Sequence, residues 1–173
     1  MSTDVITWLP EEWSHPVHVP MGRDHHLRPL RATDLDLATA AVSSSRVRLW
    51  SIYGRAWGWP PAGLTREQEL VELTRAEAEI AAHESFDYGL FDRDETALLG
   101  CVHLDPTPKT GADADISWWV VDALVGSELE ALLATFVPTW VAAEWPLARP
   151  RYVGRDLTWD DWLDLPEDVP PLP

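Results

Sequence analysis

Two adjoining stretches limit the folds open to this chain: FDYGLFDRDETALLGCVHLD, residues 86–105, and ADISWWVVDALVGSELEALL, residues 114–133. In the first, residues 86–91 alternate at period two, DRDE (92–95) supplies a turn, and residues 96–105 form a second run, so the pattern predicts a hairpin. The second stretch reads as a strand over 114–121, a glycine-marked loop and a helix from about 127 to 145, with Pro138 expected to kink or divide it. A hairpin followed by a strand–loop–helix crossover gives a mixed sheet with helices packed against it, an α+β domain.

The remaining elements fit around that centre. HHLRPL (25–30) alternates and precedes a helix to about Leu49, with Thr33 as its cap and Asp34 and Asp36 at its positive end. A loop rich in Gly, Pro and Trp is expected over 53–64. Thr65 to Gln68 form a capping-box pattern that opens a helix to about residue 84, with Leu70, Leu73, Glu77 and Ile80 on one face. RPRYVGR (149–155) can form one more short strand, and TWDDWL (158–163) a helical turn or two. The order is β-α-α-β-β-β-α-β. The chain, 1–173, reads as a single domain, with an aperiodic arm over 1–24 in which Trp8 and Trp13 can serve as anchors, and an extended Pro-rich tail over 164–173.

Composition excludes several classes. A net charge of −16 argues against nucleic acid and favours cationic or amine ligands. With one cysteine, Cys101, there is no internal disulfide, which fits a reducing compartment. No window approaches the roughly 20 apolar residues of a membrane span. The acidic N-terminus, with Asp4, Glu11 and Glu12, does not resemble a secretory signal, so a cytoplasmic protein is expected. The 11 tryptophans imply a core or pocket built on flat aromatic surfaces.

LRPLRATDLDL, the hairpin with Gly100 after two apolar residues, and ADISWWVVDALVG together resemble the GNAT superfamily of N-acetyltransferases over about residues 25–145. The resemblance implies a GNAT-like, mostly antiparallel mixed sheet and direct, acetyl-CoA-dependent transfer of an acetyl group to a small amine. It also implies that the backbones of Trp119, Val120 and Val121 face the acetyl-pantetheine arm, with N–H groups holding the thioester oxygen as it gains charge. The segment from Val125 to Glu130, with Gly126 and Ser127 at its centre, would cradle the pyrophosphate. Many proteins of this shape dimerise, and the arm and the tryptophan surface could allow it here.

The chain departs from the family at that cradle. Aligned on WWV, Val125, Glu128 and Glu130 occupy positions where the family has Arg or Gln, Gly, and Gly or Ala. A glutamate blocks close backbone approach and repels phosphate, by about 1 kcal/mol at the surface. The same glutamates stabilise an unliganded helix start by about 0.3–1 kcal/mol each. This opens a second reading, a protein of GNAT shape without CoA binding that serves as a small-molecule-binding or interaction module. The short C-terminal part also leaves little to build the family's acceptor side.

The candidate general bases are Asp115 and His103. Asp113 and Asp115 share one side of their strand and can equally be a solvated strand end. His103 can equally be an ordinary hydrogen-bonded strand residue. Cys101 lacks the spacing of a nucleophile and reads as a buried thiol. His15, His18, His25 and His26 crowd one segment but lack the pattern of a metal site, and no metal is expected. Arg149, Arg151 and Arg155 form the one basic cluster, able to meet a displaced phosphate or to pair with acidic groups. Trp50, Trp57, Trp59, Trp118 and Trp119 could line a pocket for a flat or cationic ligand, with WGWPP as a lid, or simply pack the core.

Overall fold

The structure, a computed structural model, describes residues 8–168. The arm before Trp8 and the tail beyond Asp168 lie outside the described residues. Six strands, β1 (Val19–Met21), β2 (His25–Pro29), β3 (Phe86–Asp92), β4 (Leu98–Asp105), β5 (Ala114–Val120) and β6 (Pro150–Tyr152), lie in the sheet in chain order. Every neighbouring pair is antiparallel except β5 and β6, which are parallel. Helix α3 (Glu128–Glu144) covers one face of the sheet, while α1 (Leu35–Trp57), α2 (Arg66–Ala81) and α4 (Trp159–Leu163) contribute to the core on the other. The architecture is the expected α+β arrangement of a mostly antiparallel sheet flanked by helices.

Alternation along the strands decides what each face receives. Tyr88, Val102, Leu104 and Ile116 pack towards Leu133, Val137, Trp140 and Trp145 of the α3 side. Cys101 and Trp119 pack with Leu49, Tyr53, Leu73, Trp159 and Trp162 on the other. The arm adds β1 and two anchors, for the Trp8 indole N–H donates to the His83 carbonyl at 2.7 Å and the Trp13 ring packs tilted on Trp145, their centres 4.7 Å apart. β1 has only three residues, too short for a period to be read.

Three helices differ from their sequence expectations. α1 begins after a 3-10 turn over Ala32–Asp34 and continues to Trp57, past the expected end at Leu49. Gly54 lies inside it beneath the Trp50 ring, and Gly58, with φ of 64°, closes the helix through its N–H to the Gly54 carbonyl. α2 has its capping box, with the Gln68 N–H donating to Thr65 Oγ1 at 3.2 Å and the Thr65 N–H to Gln68 Oε1 at 2.8 Å. Its inner face is Glu69, Leu73, Ala76 and Ile80, and Leu70 is exposed. α3 runs unbroken through Pro138. A proline frees the carbonyl four residues back, here that of Ala134, and Arg155 Nη1 donates to it at 3.4 Å.

The ends of β2 and of the β3–β4 turn are locked by one buried cation. Arg28 donates to both oxygens of Asp34 (2.8 and 2.7 Å) and both of Glu95 (2.8 and 2.9 Å), and lies 4.1 Å from the Phe91 ring centre.

Gly100 sets the approach of β4 to β5. A Cβ there would lie 2.2 Å from the Trp119 carbonyl oxygen and 3.1 Å from Val120 Cα, both backbone atoms. Gly100→Ala is therefore expected to push the end of β5 away and to cost about 1–3 kcal/mol or more. Chemical denaturation checks it; an unchanged midpoint would show that the two strands can separate without loss.

Candidate active site

The hairpin register collects polar groups that the sequence scatters. Asp87 pairs with His103, His103 with Ser117, Cys101 with Trp119 and Asp105 with Asp115. These side chains share the sheet face under α1 and α2, because residues two apart on a strand point the same way. Of these, Asp87, Cys101, His103, Asp105 and Trp119 border a cleft of about 600 Å³ that the end of α1, the loop from Gly58 to Leu64 and α2 also line. Trp57, Trp59 and Trp119 are its aromatic walls. Its carboxylates are Glu69, Glu72, Glu79, Asp87 and Asp105, against one guanidinium, Arg75. The opposing electrostatics favour a cation.

His103 sits at the centre, its two ring nitrogens engaged. Nδ1 lies 2.6 Å from Asp87 Oδ1, and the Trp119 indole N–H donates to Nε2 at 3.1 Å. An indole can only donate, so in this contact Nε2 offers a lone pair and Nδ1 carries the proton. Burial opposes charge on the ring, but Cys101 and Asp87, both beside Nδ1, together outweigh it and hold the pKa well above the ordinary histidine value. Protonating Nε2 requires the indole to swing away, so charge on His103 and the Trp119 contact exclude each other. Asp105 lines the same cleft, accepts a 2.5 Å hydrogen bond from Ser85, and is pushed up to about 6 by burial and by Asp87. Tyr53 donates to Ser117 at 3.2 Å, and burial raises its pKa.

Asp87, Cys101 and His103 bring one ligand atom each within 4.8 Å of one another. The set does not fit a metal ion. Nδ1 would have to give up its proton, and the proton would then face the indole N–H from Nε2. Cys101 Sγ lies 3.9 Å from that same Nδ1, and burial pushes the thiol up, so the group is not an activated nucleophile either.

A second cleft, of about 340 Å³, opens where β5 and β6 part. Their parallel pairing ends at Ile116 and Tyr152, with one further bond from the Val153 N–H to the Ile116 carbonyl. Because Val121 bonds to Leu99 of β4, ladder alternation turns the N–H groups of Trp118 and Val120 towards the opening. Arg48 holds the Val120 carbonyl and Asp122, while Arg155 lies 5.3 Å from the Trp118 ring centre. Trp119 borders both clefts.

The site residues expected from sequence separate accordingly. His103 lies in the first cleft, Trp119 between the two, and Val120 in the second. Val121 is a correction: its N–H goes to the Leu99 carbonyl at 2.9 Å and is not free for a ligand. Asp115 is another, for it is buried outside the first cleft with Arg151 Nε at 2.8 Å on one oxygen and the Trp162 indole at 2.8 Å on the other. Its role is to tie β5 to β6 and α4. Asp113 accepts from the N–H groups of Ala148 and Arg149. Gly126 (φ 78°) and Ser127 stand outside both clefts, and Ser127 caps α3 by accepting the Glu130 N–H at 3.3 Å. Of the arginine cluster, only Arg155 reaches a cleft, where Arg48 joins it. His15 meets His83 at 3.0 Å, and the His18 ring lies tilted beside His26, their centres 4.7 Å apart. Sequence reasoning missed Asp87 and Asp105. The alternation in FDYGLF and CVHLD was their signal, once the hairpin register is applied.

No protein-family model and no curated protein matches the chain's sequence. Solved structures do match. The ribosomal-protein-S5-alanine acetyltransferase of Vibrio fischeri aligns at TM-score 0.61 and 13% identity, over 79% of this chain and 73% of its own. The fold is that of the GNAT acetyltransferases. A Salmonella typhimurium acetyltransferase that modifies the N-terminal serine of ribosomal protein L7/L12 aligns with this GNAT fold at TM-score 0.60 and 12% identity, over 78% and 73% of the two chains. The microcin C7 self-immunity acetyltransferase MccE, in complex with acetyl-CoA and AMP, aligns at 0.62 and 11%, over 80% and 73%. At such identities the likeness establishes the fold. No helix among the described residues is long and apolar enough to cross a membrane.

Proposed function

We propose that this chain is an acetyl-CoA-dependent N-acetyltransferase that acts on a small amine by direct transfer. The observation that carries the reading is the parting of β5 from β6. It leaves the Trp118 and Val120 N–H groups facing a cleft that shares the Trp119 wall with an acidic, aromatic one. Acetyl-CoA would supply the activated acetyl group, and MccE, of the same fold, is a structure in complex with acetyl-CoA. The two N–H groups would hold the acetyl oxygen. In the first cleft Asp87 and Asp105 attract the ammonium form of the acceptor, and His103, oriented by Asp87, takes its proton at Nε2 as Trp119 yields.

The residues fit the acyl arm better than the phosphates. Glu130 lines the second cleft and Glu128 is exposed beside it, so positive charge must come from Arg48 and Arg155. Titration with acetyl-CoA is expected to quench tryptophan fluorescence, since Trp118 and Trp119 line the cleft. Arg155→Ala is expected to weaken binding about tenfold, the loss of one charge-assisted contact worth about 1.4 kcal/mol. No response up to about millimolar acetyl-CoA, the weak end of specific binding, would rule out the transferase and leave a GNAT-shaped binding module.

A further inference from the structure

The acidic cleft holds a carboxylate that the acetyl-transfer reading does not use. Glu69 faces inward from the first turns of α2 and is 5% exposed, yet its Oε2 is buried without a hydrogen-bond partner among the described residues. A glutamate in that state is costly unless something pairs with it. The nearby cation is already committed, since Arg75 binds Glu72 at 2.5 Å and Glu79 at 2.8 Å. Burial, with Glu72 next to it, pushes the Glu69 pKa up, as befits a carboxylate lacking a counter-ion. Trp57 and Trp59 line the same cleft, and indole faces attract cations.

We infer that the cleft binds an amine carrying a second fixed positive charge, with the distal ammonium or guanidinium paired to Glu69 beside Trp57 and Trp59. The inference rests on this cleft being the acceptor site of the proposed transferase. The two charges of the ligand then meet two separate anionic stations. The reacting amine lies by Asp87 and His103 on the sheet. The distal cation lies by Glu69 on α2, with the hydrocarbon between them against the tryptophan walls. A monoamine can satisfy only one station and leaves Glu69 unpaired.

The test uses the whole chain without acetyl-CoA, titrated by calorimetry with 1,4-diaminobutane and 1,5-diaminopentane against butylamine and pentylamine. The diamines are expected to bind at least about tenfold more tightly, the equivalent of one added ion pair. Glu69→Gln is expected to erase that preference while leaving monoamine affinity within about twofold. The variant is also expected to fold, because it removes an unpaired buried charge, and a melting temperature at or above that of the parent confirms it. Equal binding of diamines and monoamines by the parent, or a preference that survives in a folded Glu69→Gln, would overturn the inference. A second arm separates this failure from that of the transferase. Acetylation of monoamines as fast as diamines sinks the dication and keeps the enzyme. Selective diamine binding with no acetyl-CoA binding sinks the enzyme and keeps the dication site.

Discussion

Arg28→Ala is expected to destabilise the protein by about 3–5 kcal/mol, the cost of leaving a buried charge without its partner. Arg28 and Asp34 are both buried, and the guanidinium fills both oxygens of Asp34 as well as both of Glu95. Removal strands Asp34, which also accepts the Arg31 N–H at the turn leading into α1. It also releases Glu95, a residue with φ of 53° that the network holds in the left-handed region. Arg28→Lys keeps the charge but cannot form the planar fork, so an intermediate loss is expected. The acid limb gives a second readout. Hydrogen bonding from Arg28, helped by His26, lowers the Glu95 pKa from an ordinary 4.5 to about 2. A carboxylate depressed on folding stabilises above its ordinary pKa, and that contribution disappears as pH falls from 4.5 through about 2. The parent should lose this part of its stability across that window, and Arg28→Ala should show only the smaller part that His26 maintains. Chemical denaturation across the window checks both, and a loss below about 1 kcal/mol near neutral pH would show that Asp34 finds another partner.

Patterns that depend on one segment were legible in the sequence. Alternation placed β3, β4 and β5, and the Thr65 and Gln68 pair placed the start of α2. Features that depend on packing between segments were not. α1 outran its expected end because Gly54, read as loop, is accommodated under Trp50. The inner face of α2 was assigned to Leu70 because periodicity assumes an apolar interior, and here the interior includes an acidic cleft with Glu69 in its wall. Pro138 was expected to disturb α3, but Arg155 from beyond β6 supplies a donor to the freed carbonyl, a compensation 21 residues away. His103 was visible as a single titratable residue on a strand. Its partner Asp87 lies 16 residues away and is fixed only by the hairpin register, as is the indole of Trp119. Asp115 shows the converse. A carboxylate on the right strand and face looked available until Arg151 and Trp162, both remote in sequence, took its two oxygens.

His103→Ala is expected to lower kcat/KM for amine acetylation by about a hundred- to ten-thousandfold, the usual contribution of a positioned proton acceptor. Acetyl-CoA affinity should change little, because His103 borders the first cleft and not the second. His103→Gln separates chemistry from packing. Its amide can still donate to Asp87 and accept from Trp119, so it keeps the wall of the cleft but cannot carry a proton away. If the role is structural, glutamine restores the rate; if His103 accepts the proton, both variants are equally slow. The pH profile carries the sign. Burial opposes the charged ring, but Cys101 and Asp87 hold the pKa well above the ordinary 6.5, so the active, unprotonated form grows in as pH rises through that higher value. The parent profile should therefore rise on its acid side above the ordinary histidine range. Asp87→Asn removes one of the two neighbours that raise the pKa and leaves Cys101, so the rising limb should move part of the way to lower pH while the maximum rate falls with the loss of ring orientation. A limb that stays in place in Asp87→Asn would place the proton acceptor elsewhere, with Asp105, at about 6, the next carboxylate in the same cleft.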